Sequence, residues 1–521
     1  MSPSSSFAGN MLPPLAIAAL ALGLLPVTIA IYNLFFHPLA RIPGPKLAAV
    51  TRLWFAYHAR LGRSRGLTRW LHATYGPVVR VTPNMVWFVS ADGFKQVYRA
   101  GSPFGKADWY YAVAAGHGPV SLFPMKREAP DTLDLVAEMY MPRYRAQRRL
   151  IGPTYSQANL QNHEVAVDEV VERFVAKLRQ LEGKEVDLME WMHILAIECL
   201  TAVTFRWSPG LIEAGTNYDT LWDGYFQFWR YASVVGLFPR IVLLSHKLGL
   251  KSKRFLQRLV ALGVPSCPPP SKNIWMGIVG QMMSQSVGTR DVQKEPIGGL
   301  SDDLVRLHQE KPEFKQEYLS GMVSATLFAG GDTLTASLMA VIAQANHLPE
   351  VKARVMREIE TSDIKGTASF QTVNSLEYTT ATIKESMRHW PVVGLAMYRE
   401  VPARGLTLEG YNIPPGTTVG TSPLAMHLSK EIFGEDAEEF KPERWLDEEY
   451  RLALEKYNFA FGSPNRSCPG RNISEQAIFK AFPTLMKHFD IEIVKMPHED
   501  DMLTYGTAIM NGVKVKFHPR A

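Results

Sequence analysis

From residue 51 onward the chain is patterned mainly with a helical period. In "HEVAVDEVVERFVAKLRQL", residues 163–181, apolar positions recur every three or four residues and predict an amphipathic helix. A longer apolar stretch, from about residue 313 to 347 between Pro312 and Pro349, predicts a long helix. Strand patterns are brief. "VVRVTPNMVWFVS" predicts a hairpin turning at Pro83 and Asn84, and "GLTLEGYNIPPGTTVG" predicts strands broken by Gly410 and by the run from Pro414 to Gly416. The body is therefore expected to be mainly α with minor β.

The N-terminus follows another pattern. Residues 1–40 contain no Asp, Glu, Lys or Arg, and "LAIAALALGLLPVTIAIYNLFF", residues 15–36, is long enough to cross a bilayer core at about 1.5 Å per residue. It lacks a basic n-region and exceeds a usual signal-peptide apolar run, so an uncleaved anchor is expected. Positive charge begins after it, at Arg41, Lys46 and Arg52, which places the body in the cytoplasm and the N-terminus in the lumen. The expected organisation is a short lumenal segment over 1–14, a transmembrane anchor over 15–36, a Pro-rich connector over 37–50 and a single body over 51–521. Pro43 and Pro45 around Gly44 stiffen the connector. Downstream, "YFQFWRYASVVGLFPRIVLLS" is interrupted by Arg230, Pro239 and Arg240, so it reads as core or as a channel wall rather than a second span.

Composition adds exclusions. The 521 residues are 46% hydrophobic and 20% charged, which fits a globular chain and argues against disorder and repeats. A net charge of +6 suits an anionic membrane surface or an acidic protein partner. No basic block is interleaved with aromatics, so no nucleic-acid partner is expected. Three cysteines, Cys199, Cys267 and Cys468, form neither a disulfide framework nor a zinc spacing. Cys199 reads as a core thiol, and Cys267, within "GVPSCPPPSK", as an exposed one in a loop.

Cys468 differs in its surroundings. In "FAFGSPNRSCPGRN", Arg466 brings positive charge two residues before the sulfur, and the helical "GRNISEQAIFKAF" after it aims an N-terminus back at it. Those features suit an anionic sulfur, although a lone cysteine is most often a small hydrophobe. In "LFAGGDTLTASL", the adjacent Gly330 and Gly331 each cost roughly 1 kcal/mol in a helix relative to alanine, which argues for a kink or a close approach there. Asp332 and Thr333 follow them as an acid and a hydroxyl in an apolar helix. Glu385 and Arg388 are three apart on one helical face and able to pair, but Glu448 and Arg451 share that spacing.

Taken in order, these segments resemble the cytochrome P-450 monooxygenases. Phe461, Arg466, Cys468 and Gly470 match the haem-loop pattern F-x-x-G-x-R-x-C-x-G, with Pro464 in place of the first glycine; Ala329, Gly330, Asp332 and Thr333 match A-G-x-D-T. The "IKESMRHWP" and "FKPERW" segments match the family's E-x-x-R and the arginine after it, and "MPRYRAQRRLIGPTYS" resembles its W-x-x-x-R helix with Tyr144 for tryptophan and Arg148 retained. The resemblance implies haem b with its iron ligated by Cys468, a thiolate that favours O–O cleavage. It implies that Arg466, Arg148, Tyr144 and Arg399 hold haem propionates. It also implies that Thr333 hydrogen-bonds the dioxygen being activated, that Asp332 relays protons, and that Glu385, Arg388 and Arg444 form a structural ion-pair network. Pro464 puts the loop's conformation in question, because proline forbids the positive φ that glycine permits.

The fold implied is a cytochrome P-450 fold, mainly α with minor β, behind a single N-terminal transmembrane helix. The function implied is monooxygenation of a hydrophobic small molecule with electrons from NADPH–cytochrome P-450 reductase at the endoplasmic reticulum membrane. "FHPLARIPGPKLAAVTRLW" and the stretch around "FGEDAEEFKPERWL" look like filamentous-fungal members of the pisatin-demethylase and trichothecene-pathway kind, which implies a secondary-metabolite pathway. Detoxifying demethylation of a plant phenolic is the alternative. A haem-dependent isomerase or dehydratase would share Cys468 but could dispense with Asp332 and Thr333. The substrate is expected to be read by "GSPFGKADWYYAVAAGHG" and by residues near Phe328.

Overall fold

The computed structural model describes residues 14–114, 131, 133–217, 220–242 and 298–520. The loop carrying Cys267 lies outside them, as does the end of the aromatic stretch beyond residue 114. The N-terminal apolar run forms helix α1, Pro14–Ile31, continued by a π-helical turn over Tyr32–Phe36. From residue 23 onward apolar side chains of this segment face outward, with Leu24, Leu25, Val27, Phe35 and Phe36 all exposed. The connector is docked. Buried Arg80 donates from Nη1 to the Asn33 carbonyl at 2.7 Å, and its backbone N–H donates to the Pro43 carbonyl at 2.8 Å. A Cβ on Gly44 would lie 2.4 Å from the Arg80 carbonyl oxygen, so only glycine allows the connector this close.

The body is mainly helical. Its chief helices are α2 Met141–Ile151, α3 Glu164–Arg179, α4 Leu188–Phe205, α5 Thr220–Val235, α6 Gln316–His347, α7 Glu377–His389 and α8 Arg471–His488. Helices α4 and α6 pack along each other at the centre, with α3 against α4 and with α7 and α8 against α6. Both central helices are long and apolar enough to span a membrane, yet most of each lies buried inside the body. The glycine pair in α6 makes no break in the helix. The close approach expected there comes from α4: a Cβ on Gly330 would lie 2.8 Å from Leu200 Cδ2.

Strand β1, Val78–Thr82, turns through Pro83 and Asn84 into β2, Met85–Phe88. Strands β3 Gly105–Lys106, β5 Arg399–Glu400 and β8 Thr418–Gly420 complete a five-stranded sheet in the order β1-β2-β8-β5-β3, in which only β2 and β8 run parallel. Strands β6 Leu406–Leu408 and β7 Tyr411–Ile413 form a separate hairpin through Glu409 and Gly410, both at positive φ. A three-stranded sheet of β4 Glu185–Asp187, β9 Phe489–Lys495 and β10 Lys514–Pro519 closes one side.

Two E-x-x-R pairs competed in the sequence, and burial separates them. Arg388 grips Glu385 through Nε–Oε2 and Nη2–Oε1 contacts of 2.8 Å each, with both side chains 0% exposed. Arg444 Nε, Trp445 Nε1 and the Lys441 backbone N–H also donate to Glu385, at 3.0, 2.9 and 2.8 Å. The remaining donors of Arg388 reach the carbonyls of His427, Ala437 and Glu439. Burial opposes the Glu385 charge, yet the bonds and charges of Arg388 and Arg444 hold its carboxyl below the usual glutamate range. Glu448 and Arg451 stand 3.8 Å apart at the surface.

Because the network is buried and saturated, Glu385→Gln leaves Arg388 without its counter-ion and Arg444 with Asp436 alone, at 3.2 Å, and should destabilise the protein by about 3–5 kcal/mol in denaturant titration. Arg451→Ala should cost at most about 1 kcal/mol. The stabilisation is present at neutral pH and lost only on acidification below the ordinary glutamate range, since the folded carboxyl titrates low. Equal losses in the two variants would contradict this.

Candidate functional site

The loop before α8 fixes Cys468. Gly462 takes φ +83° and its N–H bonds the Phe459 carbonyl at 3.0 Å, while the Cys468 N–H donates to the Phe461 carbonyl at 2.8 Å. Pro464 opens a 3-10 turn, Pro464–Arg466, in which the Arg466 N–H closes on the Ser463 carbonyl at 2.8 Å. Proline suits the first position of such a turn. The positive φ that this loop needs is therefore carried by Gly462, and Pro464 does not distort it.

Cys468 is exposed on one side. Desolvation by the loop packed around it pushes the thiol above its ordinary value, while the N–H groups of Gly470 and Arg471 at the start of α8 and the charge of Arg148 act the other way. The helix N-terminus thus does point at the sulfur. The cation expected there does not: Arg466 turns away, donating from Nη1 to the Glu138 carbonyl at 2.7 Å, with its guanidinium 4.1 Å over the Tyr144 ring. Arg148, donating to Ser467 Oγ at 3.4 Å, acts on the sulfur in its place. Of the other arginines on α2, Arg145 and Arg149 are solvated, whereas Arg143 is paired with Glu138 at 2.5 Å.

Tyr144, Arg148, Arg399, Arg466 and Cys468 are brought into one neighbourhood, for the charges of the other four all act on the Tyr144 hydroxyl. Arg399 is 2% exposed, so it is no surface residue; one Nη donates to the Tyr398 carbonyl at 3.0 Å, and its Nε has no partner. The Nε of Arg466 is likewise buried and unpartnered. A further cation belongs here that sequence reasoning missed. Lys106 is cross-strand neighbour to Arg399 in the β3–β5 register, donates to the carbonyls of Leu135 (2.9 Å) and Val136 (2.5 Å), and is 7% exposed. Burial, then the charges of Arg466 and Arg399, push its ammonium well below its ordinary range. Its one trace in the sequence is a lysine within an aromatic run, two residues before Asp108.

Like charges directly opposite in a sheet are destabilising, and buried charge without a partner more so. Among the described residues none of Lys106, Arg399 and Arg466 forms a salt bridge. The donor set, four cations including Arg148 beside an accessible thiol, fits a group that carries carboxylates at its edge and takes a sulfur ligand at its centre.

Asp332 and Thr333 lie on α6 apart from that cluster. Thr333 Oγ1 donates to the Ala329 carbonyl at 2.7 Å. Asp332 is 2% exposed, and burial pushes its carboxyl up to about 6, opposed by hydrogen bonds from Thr507 and Trp229. Around them α6 is open on one face, with Ala325, Phe328 and Ala329 exposed midway along an otherwise buried helix. Phe328 meets Phe228 of α5 edge-on, ring centres 5.6 Å apart. Tyr155 ties this helix to the first turn of α8, just after the cysteine loop: its hydroxyl pairs with Thr326 at 2.9 Å, and its carbonyl accepts from Asn472 Nδ2 at 2.9 Å.

Residues 43–514 match the family model for cytochrome P-450, and the chain belongs to that family. It is a monooxygenase whose cofactor is haem with iron bound by a cysteine, and such enzymes draw electrons from a redox partner to act on small molecules. Among its relatives, the cytochrome P-450 monooxygenase sdnT of Sordaria araneosa is 40% identical, over 95% of this chain and 93% of its own. A pisatin demethylase of Fusarium vanettenii is 29% identical over 91% of each chain, and the cytochrome P-450 monooxygenase hepC of Aspergillus oryzae 28% identical over 96% of each.

Proposed function

We propose that the protein is a membrane-anchored monooxygenase that oxidises a hydrophobic small molecule in a fungal secondary-metabolite pathway. The observation that carries the reading is the set of cations around the loop of Cys468, of which Lys106, Arg399 and Arg466 have no carboxylate partner among the described residues. In this reading Cys468 is the iron ligand, and Arg148, Arg399, Arg466 and Lys106 hold the two haem propionates, with the Tyr144 ring supporting Arg466. The bound haem supplies the chemistry of dioxygen reduction. The protein's own part is to hold the anionic edge, to keep the sulfur ionised with the α8 N-terminus and Arg148, and to move protons from Asp332 past the Thr333 hydroxyl. The exposed apolar face of α6 at Phe328 is the surface offered to substrate.

Helix α1 together with the π-helical turn after it is taken as the single membrane span over residues 15–36, with the body cytoplasmic at the endoplasmic reticulum and NADPH–cytochrome P-450 reductase as electron donor. The outward apolar side chains of α1 support this, as do the positive charges that begin at Arg41. Arg145 and Arg149, solvated on α2, suit an acidic donor. The similarity to pisatin demethylase favours a second reading, in which the substrate is a plant phenolic and the oxidation a demethylation.

Reduced, carbon-monoxide-treated protein should show the red-shifted Soret band of a thiolate complex, and Cys468→Ala should abolish it; the band surviving that substitution would end the assignment. Deleting residues 1–36 should move the protein from the membrane pellet to the supernatant on high-speed centrifugation. A deletion variant that stays in the pellet after a salt wash would remove α1 as the sole anchor.

A further inference from the structure

Asp332 is held in a way that no charge explains. Trp229 Nε1, on α5, donates to its Oδ2 at 2.8 Å, and Thr507 Oγ1 donates to the same oxygen at 2.6 Å. No cation lies within ion-pair distance of it among the described residues. Both donors are themselves fixed. The Thr507 segment is stapled to the strand-like stretch after α7 by the Ala508 N–H to the Val392 carbonyl at 2.7 Å and the Gly394 N–H to the Gly506 carbonyl at 3.0 Å. The Trp229 indole lies flat on Gly506, where a Cβ would come within 1.9 Å of the ring. Glycine is required there so that the indole can reach the acid.

We propose that Trp229 and Thr507 are the positioning residues of the proton donor, clamping Oδ2 of Asp332 so that its transferable proton resides on Oδ1. Trp229 can only donate. With the indole N–H and the Thr507 hydroxyl both aimed at Oδ2, a proton on that oxygen would face two donors, so the acid form carries it on Oδ1. Asp332 gives up that proton as H⁺, becomes a carboxylate stabilised by the same two hydrogen bonds, and takes a proton back from solvent water. Gly506 is part of the device, since it sets where the indole stands. The proposal rests on the reading of Asp332 as proton relay.

The test uses the full-length haem-loaded enzyme with NADPH–cytochrome P-450 reductase, comparing wild type with Asp332→Asn, Trp229→Phe, Thr507→Val and Gly506→Ala. NADPH consumption is followed in H2O and D2O, which needs no knowledge of the substrate. Trp229→Phe keeps the ring and loses only the N–H, so haem content and the carbon-monoxide spectrum should match wild type. Consumption should fall several-fold and its solvent deuterium isotope effect rise, in the same direction as in Asp332→Asn, with Thr507→Val and Gly506→Ala following. A correctly loaded Trp229→Phe enzyme with wild-type rate and isotope effect, beside an impaired Asp332→Asn, overturns the clamp and leaves the relay. Wild-type behaviour of Asp332→Asn overturns the relay and the clamp with it.

Discussion

Lys106 and Arg399 stand opposite each other on adjoining strands, buried, with Arg466 beside them and, among the described residues, no carboxylate in ion-pair contact. A folded chain relieves such a concentration of positive charge by losing the Lys106 proton or by taking up an anion that completes it. The rest of the site follows from that constraint. The five-stranded sheet sets the Lys106–Arg399 register, and α2 brings Arg148 and Tyr144 to the same place. The turn begun by Pro464 then delivers Arg466 to the Tyr144 ring while leaving Cys468 open.

A second, independent polar system keeps this frame in place. The Glu385 network is saturated and satisfies four carbonyls of the stretch 427–439, those of His427, Phe433, Ala437 and Glu439, through Arg388 and Arg444. Each of its arginines has a carboxylate partner, Glu385 for both and Asp436 also for Arg444 at 3.2 Å, in contrast to the cation cluster. The difference explains why one reads as a scaffold and the other as a receptor, although both contain buried arginines.

Much of the fold was legible because its signals are local. The turn at Pro83 and Asn84 fixed a hairpin, Gly410 and Pro414 punctuated the later strands, and Pro312 and Pro349 bracketed α6. The pair spacing of Glu385 and Arg388 was legible too, but only burial distinguished it from Glu448 and Arg451. What the sequence hid was contact across long separations. Lys106 acquires meaning only when β3 pairs with β5, and Trp229 only when α5 lays its indole on Gly506 and its N–H reaches Asp332, 103 residues along the chain. The direction of Arg466 was hidden for another reason: proximity in sequence to Cys468 does not decide a rotamer, and the Tyr144 face together with the Glu138 carbonyl wins the guanidinium.

The central claim is that the buried cations exist to receive carboxylates. The most direct measurement is an absorbance titration of the haem-depleted protein with haem and with its dimethyl ester, which has the same ring and iron but no charged propionates. The account predicts tight binding of haem and a loss of at least about tenfold in affinity for the ester, the effect of one charge-assisted contact of about 1.4 kcal/mol. Equal affinity for the two would contradict it.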